Sequence, residues 1–176
     1  DHDTLDSSPP LTHAKAFSEH PGFNTIAILD IDRSKALRAG YKWNIPFAAK
    51  HIDELPSIHS NIHVVSICTP PDSHLDTIRY VLGKFPNLKI IFCEKPLCDQ
   101  SENIDDFDFD TNIPIIVNYS RRWDAEINNL KKSQFLKNTR FINAYYSKGL
   151  FINGSHLVDL FFYLFNDLKI MQITRL

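Results

Sequence analysis

The chain is 176 residues long, 43% hydrophobic and 23% charged, with a formal charge of −2 and a pI near 6.5. That length suits one well-buried domain, or one domain with part of another, and the mild acidity speaks against a nucleic-acid surface, which calls for a basic patch or stripe. No apolar run approaches the roughly 18–20 residues that cross a bilayer, and the acidic Asp1-His2-Asp3 does not read as a secretory leader.

Residues 1–10 are polar, contain proline and lack periodicity, so they read as a loop. Thr12 is placed to cap a short helix over 12–20, with Ala14, Ala16 and Phe17 turned inward and Pro21-Gly22 as its stop. Thr25-Ile26-Ala27-Ile28-Leu29 is a buried strand that ends in Asp30-Ile31-Asp32-Arg33. On local grounds Asp30 serves as the cap of the helix that begins at Ser34. Residues 43–55 read as irregular.

The next stretch is the most ordered in the chain. Val64-Val65-Ser66-Ile67-Cys68 is a short apolar strand, broken sharply by Thr69-Pro70-Pro71-Asp72-Ser73. From His74 to Leu82 the apolar residues Leu75, Ile78 and Leu82, with Tyr80 and Val81, take helical spacing. Pro86-Asn87 ends that helix, and Leu88-Lys89-Ile90-Ile91-Phe92-Cys93 is a second strand with Glu94-Lys95-Pro96 just beyond it. Strand, helix, strand is a unit that implies parallel pairing. Ligands bind outside the carboxyl ends of such strands, where both polar punctuations fall. The ring of Pro96 bars helix at Lys95 and so holds its amine at the rim; the plain alternative is a surface lysine in a turn.

Residues 100–110 carry Glu102, Asp105, Asp106, Asp108 and Asp110, and their alternation with Phe107 and Phe109 reads as a solvated loop. Ile113-Pro114-Ile115-Ile116-Val117 is a further strand, followed by Asn118-Tyr119-Ser120-Arg121-Arg122-Trp123. Residues 126–135 form an amphipathic helix with Ile127, Leu130 and Phe135 on one side, and 139–147 alternate as a strand with two faces. His156 and Asp159 stand i, i+3 on a helix that begins near Asn153, hence on one face. Residues 169–176 are a last candidate strand. Cys68, Cys93 and Cys98 form no Cys-x-x-Cys pair, and an odd count fits a reducing cytoplasm. Cys68 and Cys93, in strands, act as small hydrophobes, with redox or metal chemistry the alternative. The histidines and cysteines make up no zinc-type ligand set, so no metal site is expected.

The pair Ser66-Ile67-Cys68-Thr69-Pro70-Pro71-Asp72-Ser73-His74 and Cys93-Glu94-Lys95-Pro96-Leu97, about 20 residues apart, resembles the Gfo/Idh/MocA family of NAD(P)-dependent oxidoreductases. The resemblance runs with gaps from about residue 13 to about residue 167, and Ile52-Asp53-Glu54-Leu55 resembles the family's short helical turn before its third strand. It implies an α/β fold, a Rossmann-like doubly wound parallel sheet over 1–118, followed over 119–176 by the start of an α+β substrate and oligomerisation domain. It implies that Thr69, Pro70, Pro71, His74 and Glu94 lie along the cofactor and that Lys95 stands beside the nicotinamide and the reacting hydroxyl. Asp30 then takes the adenosine ribose hydroxyls, which favours NAD over NADP, although Arg33 beside it could accept a 2′-phosphate. Gly154-Ser155-His156-Leu157-Val158-Asp159 resembles the segment whose histidine works with that lysine, so Lys95 and His156 are the catalytic candidates. Ile152 stands where many members have aspartate or asparagine, which leaves Asn153 to orient substrate. Tyr119, Arg122, Asn153 and Asp159 are the substrate candidates; for Arg121 and Arg122 the alternative is pairing with the acidic loop.

The implied activity is hydride transfer between nicotinamide and a secondary alcohol of a sugar or sugar nucleotide, in a cytoplasmic protein that is a homo-oligomer at full length, with no nucleic-acid or membrane partner. One departure weighs against it. The family's glycine-rich turn is expected near Leu5-Asp6-Ser7-Ser8-Pro9-Pro10, which has no glycine; the first is Gly22. The expectation is a chain lacking its first strand and glycine loop. The rivals are a non-catalytic cofactor or sugar-nucleotide binding protein and an inactive fragment of such an enzyme.

Overall fold

The computed structural model describes residues 9–107, 112–165 and 168–169. They fall into two compact units: Asp1–Ile62 with Phe85–Asn87, and His63–Lys84 with Leu88–Leu176.

The first unit opens with helix α1 (His13–Glu19), whose N-cap is Thr12; the threonine hydroxyl accepts the Lys15 N–H at 3.3 Å. The residue it buries is not Phe17 or either alanine but Lys15, 1% exposed. The stem of Lys15 lies inside while its ammonium pairs with Glu19 at 2.9 Å and stands 5.6 Å from the Trp43 ring. Strand β1 (Ala27–Leu29) and strand β2 (Phe47–Ala49) pair in parallel, Ala27 opposite Phe47, with helix α2 (Arg33–Lys42) between them in sequence. β2 lies in the stretch that reads as irregular, because three residues are too few to display a period. Gly40 lets α2 settle on this pair: a Cβ there would stand 3.1 Å from that of Ala48. A 3₁₀ turn at Ile52–Glu54 follows, as expected.

The second unit is a three-stranded parallel sheet with strand order β3 (Val64–Ile67), β4 (Ile90–Cys93), β5 (Ile115–Val117), so β4 is central. Helix α3 (His74–Lys84) links β3 to β4 and buries His74, Leu75, Ile78 and Val81, one stripe at helical spacing. Tyr80, counted with that stripe from the sequence, faces outward instead. Ile91 and Cys93 are fully buried in β4, and burial pushes the Cys93 thiol up to about 12, the inert hydrophobe expected of it. Cys68 is a correction: it lies one residue past β3 and is exposed.

Phe107 is also inside, under the Arg79 guanidinium at 4.6 Å from the ring, so the acidic stretch is not solvated throughout; Asp108, Phe109 and Asp110 lie outside the described residues. Beyond β5, helix α4 (Ala125–Lys132) is capped by Asp124, which accepts the N–H groups of Glu126 and Ile127. It ends before Phe135, which stands 81% exposed in a following turn. The expected strand over 139–147 does not form. Phe141 and Tyr145 are 86% and 85% exposed, and no described segment offers the backbone ladder that such a strand requires. The candidate strand over 169–176 lies, apart from Lys169, outside the described residues. The unit closes with a π-helical turn at Leu150–Gly154 running into helix α5 (Ser155–Leu164). Gly154 lets side chains close in there, since a Cβ would come within 2.9 Å of both Leu150 Cδ1 and Tyr146 Cε2 and one of them would have to move. No helix among the described residues is long and apolar enough to cross a membrane.

Candidate functional site

At the carboxyl edge of the three-stranded sheet the chain ends are held side by side by backbone bonds, Glu94 N–H to Ile67 O at 2.9 Å and Asn118 N–H to Cys93 O at 2.7 Å. Asn118 also donates its side-chain amide to Glu94 Oε1 at 2.6 Å, which fixes that carboxylate against the end of β5. His74 joins the two punctuations that the sequence displays. It is wholly buried, with Nε2 2.7 Å from Thr69 O and Nδ1 2.9 Å from Pro96 O. Both ring nitrogens therefore face backbone carbonyls, a ring N–H donates to one of them, and the imidazole sets the spacing between the Thr69-Pro70-Pro71 loop and the Glu94-Lys95-Pro96 loop. The Lys95–Pro96 peptide is cis.

Lys95 reaches from this edge to the turn before α5, where its ammonium donates to Ile152 O at 2.8 Å. The sequence gives no sign of this contact, because a carbonyl is present whatever the side chain. Four residues on, His156 meets the Tyr119 ring edge-on at 5.7 Å. His156 Nδ1 is buried with no hydrogen-bond partner. Its pKa lies below the usual histidine value, through burial first and then through the positive charges of Lys95 and Arg121. The two catalytic candidates are thus within each other's field. Burial likewise raises the Tyr119 hydroxyl.

Arg122 and Asp159 meet as a fork, with Arg122 Nε 3.0 and 2.8 Å from the two carboxylate oxygens and an Nη also on the carboxylate. Arg122 pairs with the helix, not with the acidic loop, and that bond raises the guanidinium's pKa. Asn128 donates to Arg122 O at 2.9 Å and accepts the Tyr163 hydroxyl at 2.6 Å, so these side chains lock α5 to the turn at Ser120–Trp123. Asn153 lies inside the π turn, its backbone N–H donating to Gly149 O at 3.2 Å.

A pocket of about 510 Å³ opens beside Lys95, lined by Pro71, Pro96, Asp99, Lys148 and Ile152 among others. His156 and Asn153 are not among its walls. Lys148 is the residue here that sequence reading missed.

Asp30 and Arg33 belong to the first unit. Asp30 Oδ1 accepts the Asp32 N–H at 2.8 Å, while Asp32, and not Asp30, caps α2 by accepting the Ser34 N–H at 2.9 Å. The cap bonds from Ser34 hold the Asp32 carboxyl below the usual carboxylate range. Arg33 pairs with Glu54 at 3.1 Å and is 64% exposed. His59 and His63 stand four apart, a spacing that pairs imidazoles on a helix, but the turn carrying His59 ends at Asn61. No group of three histidine, cysteine or acidic side chains placed to hold a metal occurs among the described residues.

The family model described as oxidoreductase family, NAD-binding Rossmann fold (Gfo/Idh/MocA) matches residues 11–108. An inositol 2-dehydrogenase of Rhizobium meliloti (strain 1021) is 29% identical over 127 residues, which cover 69% of this chain and 36% of that protein. Myo-inositol dehydrogenase from Lactobacillus casei, solved in complex with NAD(H) and myo-inositol, superposes with a TM-score of 0.65 at 21% identity, over 88% of this chain and 50% of that one. An oxidoreductase domain protein from Kribbella flavida gives 0.66 at 16% identity, over 86% and 50%. The chain thus spans between about a third and a half of the length of these relatives. The parallel strand–helix–strand units are those of a Rossmann fold.

Proposed function

The chain belongs to the Gfo/Idh/MocA oxidoreductase family with its NAD-binding Rossmann fold, and from that premise we propose that it carries the cofactor half, and the catalytic lysine and histidine, of an NAD-dependent dehydrogenase acting on a secondary alcohol of a cyclic polyol, sugar or sugar nucleotide. The observation that carries this reading is the orphaned, buried Nδ1 of His156 in the field of Lys95. A buried polar atom without a partner is costly unless a ligand supplies one.

The residues fit the cofactor. Asp30, at the end of β1, spends one carboxylate oxygen on Asp32 N–H and has the other for ribose hydroxyls. That carboxylate also repels a 2′-phosphate, and Arg33 is engaged by Glu54, which together favour NAD over NADP. His74 holds Thr69-Pro70-Pro71 and Glu94-Lys95 as a fixed wall along which the cofactor lies. Bound NAD supplies the hydride acceptor. His156, kept neutral by burial and by Lys95, takes the carbinol proton. Lys95 turns its ammonium from Ile152 O to the oxygen on which negative charge develops. Tyr119 backs the His156 ring, and Arg122 with Asp159 holds α5 in place so that the histidine faces the substrate. Asn153, and the division into a cofactor domain to residue 118 and a substrate domain from 119, belong to the same reading, as does assembly into a homo-oligomer.

Reduction of NAD in the presence of myo-inositol, other cyclic polyols and free sugars tests it. Lys95→Ala is expected to lower kcat by about 10²–10³ and His156→Ala by about 10²–10⁴. NAD reduction that both variants leave unchanged overturns the assignment. One observation favours a second reading, a binding protein without turnover: Ile152 offers substrate only an apolar side chain, and its carbonyl already engages Lys95. NADH binding with no reduction on any polyol selects that reading.

A further inference from the structure

The pocket beside Lys95 contains a charge that the dehydrogenase reading leaves unused. Lys148 lines it together with Lys95, against a single carboxylate, that of Asp99, which already accepts the Ser101 N–H at 2.9 Å. The Lys148 ammonium makes no ion pair or hydrogen bond among the described residues.

The backbone under Lys148 points the same way. Lys148 and Gly149 are consecutive left-handed residues, with φ 65° and 82°. At Gly149 nothing stands within 4 Å of a built Cβ, so conformation and not space calls for glycine there. A positive φ is also met at Lys148, by a β-carbon-bearing residue, at a steric cost that glycine escapes. Strain of this kind is characteristic of functional sites, and here the strained residue sets a long cation on the wall of a pocket. Hydride transfer from an alcohol needs one cation at the alkoxide, the part given to Lys95, and a second serves a second negative group.

We propose that the substrate is a sugar or cyclic polyol bearing an anionic group, a carboxylate or a phosphate, that the anionic group enters this pocket beside Lys95, and that Lys148 is the residue that recognises it. The proposal rests on the dehydrogenase reading for the sugar and on Lys148 for the charge. Lys148 thereby sets specificity and plays no part in the proton transfer.

Calorimetric titration of the chain with glucose, glucuronate and glucose 6-phosphate, at low and at raised salt, tests this. At least one anionic sugar is expected to bind about tenfold more tightly than glucose, as a charge-assisted contact supplies, with an advantage that shrinks as salt screens it. Which of the two does so identifies the anion as carboxylate or phosphate. Lys148→Gln is expected to abolish the preference and Lys148→Arg to keep it. Lys148→Gly, suited to the left-handed backbone, is expected to lose the preference while melting no lower than the wild type. Equal binding of all three sugars, no binding of any, or a preference that survives Lys148→Gln overturns the proposal. NAD reduction on the same sugars separates the two claims. Reduction with no anionic preference leaves the dehydrogenase standing and removes the anion site, whereas preferential binding without reduction does the reverse.

Discussion

The chemistry turns on a histidine and a lysine that tune one another. Burial and the charges of Lys95 and Arg121 push His156 below its ordinary 6.5. In the folded chain it therefore binds fewer protons near that pH than in the unfolded one, and stability rises with pH there. The contribution is complete above 6.5, and folded stability falls as pH drops from 6.5 toward the lowered value. An NMR titration of the His156 ring is expected to show a midpoint below 6.5 that moves up in Lys95→Met, since the second-largest cause is then gone. An unmoved midpoint would separate the two residues. At this scale the sequence was only partly legible. Lys95 and His156 stood out through the motifs around them. The Lys95 bond to Ile152 O did not, because it uses backbone, and the cap of α2 fell to Asp32, where either of two aspartates two positions apart could serve.

Elements were legible where they were long enough to show a period or were bounded by proline. β1, β3, β4, β5 and α3 lie within a few residues of where apolar runs put them. β2 was hidden by its length, and the stretch over 139–147 alternates like a strand yet has no described neighbour to pair with, since alternation reports a potential face and a ladder needs two partners. The α3 stripe was legible, but its first member was not expected to be a polar residue tying two loops together. His74→Ala removes a fully buried ring that stands between the carbonyls of Thr69 and Pro96, and leaves the one that accepts its N–H without a donor. It is expected to cost about 3 kcal/mol in denaturant unfolding, whereas Tyr80→Ala on the outer face of the same helix stays within about 0.5 kcal/mol. Equal costs would remove the linking role given to His74.

Across the whole chain, composition excluded more than it identified. The mild net charge spoke against a nucleic-acid surface, and the order of strand, proline-rich break, helix, strand and Glu-Lys-Pro carried the α/β fold and the family. The part beyond residue 118 was least legible, because the strand expected over 139–147 calls for a sheet partner that the described residues do not contain. Membership in the family rests on residues 11–108, while His156 and Asp159 lie past that match and are joined to Lys95 through the turn at Ile152. Hydride transfer is followed most directly with deuterium. The chain is incubated with NAD and myo-inositol deuterated at its ring carbons, and the reduced nicotinamide is analysed for deuterium at C4. Deuterated NADH is expected from the wild type and little from Lys95→Ala. NADH without deuterium, or NADH binding with no transfer from any polyol, contradicts the dehydrogenase reading.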